Sequence, residues 1–241
     1  MFVATAAKLS PGVAEAPIAF AETYVLTDPA AARQAMQLTE FFQRAVVATP
    51  ANRIAFDLGR AIELVAASFD MALARKIDQT FAFDGEPLYA TIDAVLRIVR
   101  STIDVPLHHR DIDQLRTAVA GAFVGLAAQQ GDAWLHFAPA PAGRCVWNYN
   151  ASIVVQSEET GDFAYAVPLG LTIESRLARS AVLALKTDDV VDLVVRVQSI
   201  KAIQFLRGTE RELAQVPGLR SPTPRLRAPK IEPVGAISLN F

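Results

Sequence analysis

Three long stretches in the second half of the chain alternate with a period of two, and no other feature narrows the fold so far. Trp147, Tyr149, Ala151, Ile153 and Val155 alternate with Asn148, Asn150, Ser152, Val154 and Gln156. Phe163, Tyr165, Val167, Leu169, Leu171 and Ile173 form a second such series, and Val191, Leu193, Val195 and Val197 a third. Successive side chains of a strand leave opposite faces, so each series builds one apolar sheet face. Between the first two, Glu158-Glu159-Thr160-Gly161 reads as a hairpin turn, with glycine free to take a positive φ. Lys186-Thr187-Asp188-Asp189 marks another turn, between a strand expected at 181–185 and one at 190–198. The opposite face carries Val146, Val154, Ala164, Ala166, Val182 and Val194 and is semi-apolar. A sheet of this kind must be covered on both sides.

The covers are upstream, where the period changes. Asp28-Pro29 places an N-cap residue before a proline whose missing N–H costs nothing at the first helical position. Met36, Thr39, Phe42 and Val46 then share a face, and Thr49-Pro50 ends the helix. A second helix is expected from about Asn52, with Ile54, Leu58, Ile62, Val65 and Phe69 on its stripe. Residues 72–83 are ambiguous, since Ile77, Gln79, Phe81 and Phe83 allow a strand. After Glu86-Pro87, the spacing of Leu88, Ile92, Val95, Leu96 and Val99 is that of a core-facing helical stripe. A fourth helix begins near Asp111 and carries Ile112, Leu115, Val119, Phe123 and Leu126. Residues 22–27 have strand composition, and a short helix is expected toward Leu206. The fold class is α/β (α+β): a three-layer α/β/α sandwich, its largely antiparallel sheet flanked by helical hairpins.

Composition removes several functions. With a net charge of −2 the chain lacks the basic face of a nucleic-acid binder. Apolar residues make up 52% of it, yet no run approaches the ~18 needed for a membrane-spanning helix. Cys145 is the sole cysteine, which rules out an internal disulfide and reads as a buried small hydrophobe. His108 and His109 are adjacent and point apart on a helix, and His136 is distant, so no metal site is expected. Glu158-Glu159 and Asp188-Asp189 lie in turns, where solvated acids are ordinary. No nucleophile elbow, phosphate loop, dinucleotide fingerprint or zinc-protease motif is present, and neither a catalytic residue nor a cofactor is expected. Gly121-Ala122-Phe123-Val124-Gly125 is a GxxxG, read as close packing on the sheet. Ser10-Pro11-Gly12 interrupts any signal-peptide core, so the chain is expected to be made soluble, perhaps-free of any secretory leader, stored as an inclusion and released by another route.

Several short words in sequence order carry a resemblance. They are Tyr24-Val25-Leu26-Thr27-Asp28-Pro29, Gln34-Ala35-Met36-Gln37-Leu38, Gly131-Asp132-Ala133-Trp134 and Trp147-Asn148-Tyr149-Asn150. Val155-Gln156-Ser157-Glu158-Glu159-Thr160-Gly161, Val167-Pro168-Leu169 and Ile203-Gln204-Phe205-Leu206 complete the series. Over 22–206 the chain resembles the Cyt family of cytolytic δ-endotoxins. The Ala-rich helices, His108-His109-Arg110 and the proline- and arginine-rich tail depart from that pattern.

The resemblance implies a soluble protoxin, trimmed by proteases at both ends, that binds membrane phospholipid of a target cell directly and permeabilises it. It implies a self-oligomer on the membrane and a protoxin homodimer before activation. The expected division is a removable pro-segment at 1–20, a cytolytic domain at 21–206 and a second pro-segment or tail at 207–241. The expected inserting residues are Trp147, Tyr149, Ile153, Val155, Phe163, Tyr165, Val167, Leu169, Leu171, Ile173, Val191, Leu193 and Val195. Alternation alone is equally what any covered antiparallel sheet shows; the resemblance is what turns the reading toward insertion. For Trp147 and Tyr149, a core anchor and a lipid-interface ring remain open alternatives. A non-lytic lipid- or protein-binding protein on the same fold is the competing reading.

Overall fold

Local sequence signals set the elements of the computed structural model, which describes residues 19–48, 54–141, 143–156 and 163–205. The turn at 158–161, the segments 1–18 and 206–241, and with them most of both expected pro-segments, lie outside the described residues. Strand β1 (Ala21–Leu26) leads into α1 (Ala32–Gln43). The Asp28-Pro29 signal starts a 3-10 turn, closed by Ala31 N–H donating to the Asp28 carbonyl at 3.0 Å, and α1 follows it without a side-chain cap. Helix α1 buries Ala35, Leu38, Thr39 and Phe42. Met36, expected on that face, is 54% exposed.

A short hairpin, β2 (Val46–Ala48) and β3 (Ile54–Phe56), takes residues expected to be helical, including Val46 and Ile54. Helix α2 (Leu58–Ala66) therefore starts later than Asn52, where Asp57 Oδ1 accepts the Arg60 N–H at 3.0 Å. Phe69 lies beyond its end and is fully exposed rather than on a buried stripe. The ambiguous stretch is a strand, β4 (Met71–Pro87), with register shifts at Leu73/Arg75 and Phe83/Glu86. Helix α3 (Leu88–Ile103) buries its whole expected stripe and ends at Asp104, whose φ of 50° is left-handed.

Helix α4 (His109–Ala120) begins where His108 N–H donates to Asp111 Oδ2 at 3.2 Å. It stops six residues short of Leu126, because the chain turns from Gly121 and Gly125 takes a φ of +69°. Phe123 and Leu126 are nonetheless fully buried. Strands β5 (Leu135–Ala138), β6 (Cys145–Gln156) and β7 (Phe163–Ser175) follow. The strand expected at 181–185 is instead a helix, α5 (Arg179–Leu183). Both edges of β7 are already taken, by β6 and by the last strand, β8 (Val190–Phe205). Strand β8 also replaces the short helix expected at the end of this region.

Among the described residues the main sheet runs β1–β6–β7–β8–β4. Strand β1 pairs parallel with 151–156 of β6, and β5 pairs antiparallel with 146–149 along the same strand. The other pairings are antiparallel. Helices α3 and α4 pack on one face, called the front; α1 and α2 pack on the other, the back. The architecture is the three-layer α/β/α arrangement expected of this patterning.

Candidate membrane-inserting sheet

Antiparallel pairing brings the alternating residues into rows across the front face. Trp147 lies opposite Ile173, and Ile173 opposite Val195. Tyr149 lies opposite Leu171, Ile153 opposite Val167, and Val155 opposite Tyr165. Leu193 and Val191 continue the face along β8, and Leu169 continues it along β7. Eleven of the thirteen expected residues are buried and share one apolar cluster with α3 and α4, while Phe163 and Tyr165 are partly exposed near one end of β7. Sequence reasoning missed the continuation onto β4, where Phe81 stands opposite Val195 and Phe83 opposite Leu193. Their alternation was visible, but the register shifts interrupt the period on either side.

The two open readings for the aromatic pair resolve to core anchors in this state. The Trp147 indole N–H donates to the Ala122 carbonyl at 2.9 Å, in the turn segment after α4. A Cβ on Gly121 would stand 2.9 Å from the Tyr149 hydroxyl, so the first glycine of the GxxxG permits the close packing expected of it. At Gly125 the positive φ is what glycine supplies. Burial, and secondarily the charge of Asp132, push the Tyr149 phenol well above its ordinary range. Trp134 is partly buried and donates its indole N–H to Gln129 Oε1 at 3.1 Å.

Lysine interrupts the apolar front face near the end of β8. Lys201 is 8% exposed; its Nζ donates to the Ile103 carbonyl at 2.5 Å and sits 4.0 Å from the Tyr165 ring centroid. Burial lowers its pKa, with Asp104 opposing that shift and Arg75 adding to it. Arg75, its cross-strand neighbour, donates to the Ser101 carbonyl. Two cations of the sheet thus meet the C-terminal carbonyls of α3, where the helix dipole favours positive charge. At the other end of α3, the N–H groups of Leu88 and Tyr89 each donate at 2.9 Å, to the carbonyls of Asp189 and Thr187. A lysine in a strand carries no sequence signal of which carbonyl it will reach.

The back face is chemically different. Tyr24 OH donates to Thr39 Oγ1 at 3.3 Å, and Thr39 shares a 2.8 Å hydroxyl contact with Ser152. Asn150 Oδ1 accepts the backbone N–H of Phe56 at 3.1 Å, and Asn148 Oδ1 accepts the Thr172 hydroxyl at 2.9 Å. The Nδ2 atoms of both asparagines are buried without a hydrogen-bond partner. Gly170, between them and β8, leaves the space that Phe56 fills; an added Cβ would stand 2.5 Å from the Phe56 Cβ. Beyond the reach of α1 and α2, Asp78 and Arg196 form a two-pronged ion pair at 2.8 Å on the same face, which holds the Asp78 carboxyl below its usual range. Phe20, placed at the end of the N-terminal pro-segment, is 1% exposed and packs edge-on against Phe56.

No helix among the described residues is long and apolar enough to cross a membrane. Strands β6, β7 and β8 contain 12, 13 and 16 residues. Crossing hydrocarbon as a tilted strand takes ~9–11 residues, so each is long enough.

Comparison with known proteins bears on the same region. A family model described as Bacillus thuringiensis toxin matches residues 11–220. A Type-1Aa cytolytic delta-endotoxin of Bacillus thuringiensis subsp. morrisoni is 28% identical over 177 residues, which are 72% of this chain and 71% of the relative. A Type-1Ba cytolytic delta-endotoxin of subsp. neoleoensis is also 28% identical over 177 residues, 72% of this chain and 67% of the relative. Among solved structures, the activated Cyt2Ba monomer of subsp. israelensis superposes with a TM-score of 0.72 at 20% identity, covering 78% of this chain and 98% of that one. This last likeness bears on the fold alone.

Proposed function

The chain belongs to the Cyt family, the Bacillus thuringiensis toxin family whose model spans most of it, and from that premise we propose that it is a cytolytic toxin that permeabilises target-cell membranes through the β6–β8 sheet. One observation carries the reading: the expected inserting residues share one apolar face of three adjacent strands, each long enough for a bilayer. In water α3 and α4 shield that face. At a membrane, lipid replaces the helices as its apolar partner. Open strand edges are intolerable in hydrocarbon, so insertion as strands requires self-association into a closed barrel.

On this reading the protein is made as a soluble protoxin and trimmed at both ends. The trimmed body binds membrane phospholipid directly, without a protein receptor or a cofactor, and the precursor is stored as a homodimer. A relative of this fold exists as an activated monomer, which supports the trimming step. Phe20 packs within the back core, which favours a first cleavage upstream of it. The chain acts as a membrane-binding protein rather than as an enzyme.

The test is dye release from phosphatidylcholine liposomes, using the intact protein and the protein after brief trypsin treatment. Leakage that rises on trimming is the expected result. No leakage from either form, with the trimmed body shown to be folded, overturns the proposal in favour of a non-lytic binding protein on the same fold.

A further inference from the structure

The two faces of β6–β8 demand different solvents. On the front, Trp147, Ile153, Val167, Leu171 and Val195 offer only apolar surface. On the back, β6 presents Asn148, Asn150, Ser152 and Gln156, all buried polar residues, and β7 presents the small Ala164, Ala166 and Gly170 beside Thr172. Strand β8 adds Arg196, Gln198 and Gln204. Carboxamides and hydroxyls are poorly accommodated by hydrocarbon unless every donor is paired. Here they are not: Asn148 and Asn150 are 2% and 1% exposed, and each buries an Nδ2 that no partner satisfies. Native proteins leave few such groups, and each one calls for an explanation.

We propose that the back face of β6, β7 and β8 is a water-facing lining for hydrated ions in the membrane form, with the front face turned to lipid. This rests on the permeabilising reading above. Departure of α1 and α2 uncovers a face that water satisfies, including both orphaned amides. Departure of α3 and α4 uncovers a face that only hydrocarbon accommodates. Glu174, Asp192 and Arg196 on the back then lie in the aqueous lumen, where charge is tolerated.

The test is ion selectivity in planar phosphatidylcholine bilayers, read as the reversal potential under a salt gradient. Thr172→Lys and Gln198→Lys alter back-face residues that are only partly buried in the soluble fold. Leu171→Lys and Val197→Lys alter their front-face neighbours. Back-face lysines are expected to keep conductance and shift selectivity toward anions; front-face lysines are expected to abolish conductance in protein that remains folded. The proposal is overturned if the back-face variants conduct with unchanged selectivity, or if front-face lysines shift it instead.

A second measurement does not depend on tolerance of lysine. In a Cys145→Ser background, single cysteines at Thr172 and Leu171 carry an environment-sensitive fluorophore after assembly on vesicles. Quenching by aqueous iodide at Thr172 and by spin-labelled lipid at Leu171 is the expected pattern. The reverse pattern, or equal quenching of both probes by lipid, overturns the assignment. Absence of conductance and leakage in the unsubstituted protein overturns the permeabilising reading beneath it.

Discussion

Two helical layers cover one sheet by different means. The front layer works by volume: α3 and α4 close over Trp147, Leu171, Val195 and their neighbours in one large apolar cluster. Helix α3 is fastened at both ends, by backbone carbonyls of Thr187 and Asp189 and by the cations Arg75 and Lys201. The back layer works by polar fit. Thr39 meets Ser152, the Phe56 N–H meets Asn150, Gln34 meets Gln204, and two amides are left over. Apolar burial is non-directional and grows with area, whereas a buried polar seam stabilises only as far as it is completed. The difference teaches that a sheet can be held firmly on the side it will show to lipid and loosely on the side it will show to water.

The comparison can be broken at defined points. The largest effect is expected on the front: Trp147→Ala removes a fully buried indole and its bond to the Ala122 carbonyl, and should cost about 3–5 kcal/mol in a denaturant titration. A loss below about 1 kcal/mol would mean that the front core is not packed as described. On the back, Gly170→Ala forces a methyl onto Phe56, and should cost about 1–3 kcal/mol without touching the front. An unchanged midpoint there would remove the case for close packing of the β2–β3 hairpin on the sheet.

The alkaline limb sharpens the contrast further. Tyr149 is held protonated by burial above its unfolded-state value of about 10. Its contribution to stability is therefore complete below about pH 10 and is lost as pH rises through the folded-state pKa. Tyr149→Phe should move alkaline unfolding to higher pH, followed by tryptophan fluorescence; coincident curves would contradict the assigned burial. The smallest effect is expected at Arg196→Gln. Asp78 and Arg196 are well exposed, so the pair is worth under ~1 kcal/mol and its loss should fade as salt is added.

Legibility followed the same division. The front face was readable because long strands buried on that side repeat without interruption, and α3 was readable because Leu88, Ile92, Val95, Leu96 and Val99 are all buried. Strand β4 was half readable, since register shifts at Leu73/Arg75 and Phe83/Glu86 break its alternation and most of its side chains face solvent. The β2–β3 hairpin was not readable at all: strands of three residues fall below any period, and Ile54 alone mimicked a helical stripe. Helix α5 was misread because 181–185 alternates by chance, and only the occupied edges of β7 exclude it from the sheet. Parallel pairing of β1 with β6 joins residues far apart in the chain, for which local sequence carries no signal. The orphaned amides were equally hidden, because Asn148 and Asn150 look like ordinary outward-facing polar residues until α1, α2 and β3 cover them.

The central claim is that the helical layers must leave the sheet for the protein to act, and the Thr39–Ser152 contact gives direct access to it. Their hydroxyls stand 2.8 Å apart, one on α1 and the other on β6. In a Cys145→Ser background, Thr39→Cys with Ser152→Cys should form a disulfide that fastens the back layer to the sheet. The account predicts that liposome leakage is lost in the oxidised protein and returns on reduction. Undiminished leakage from protein shown by mass to be fully cross-linked would contradict it.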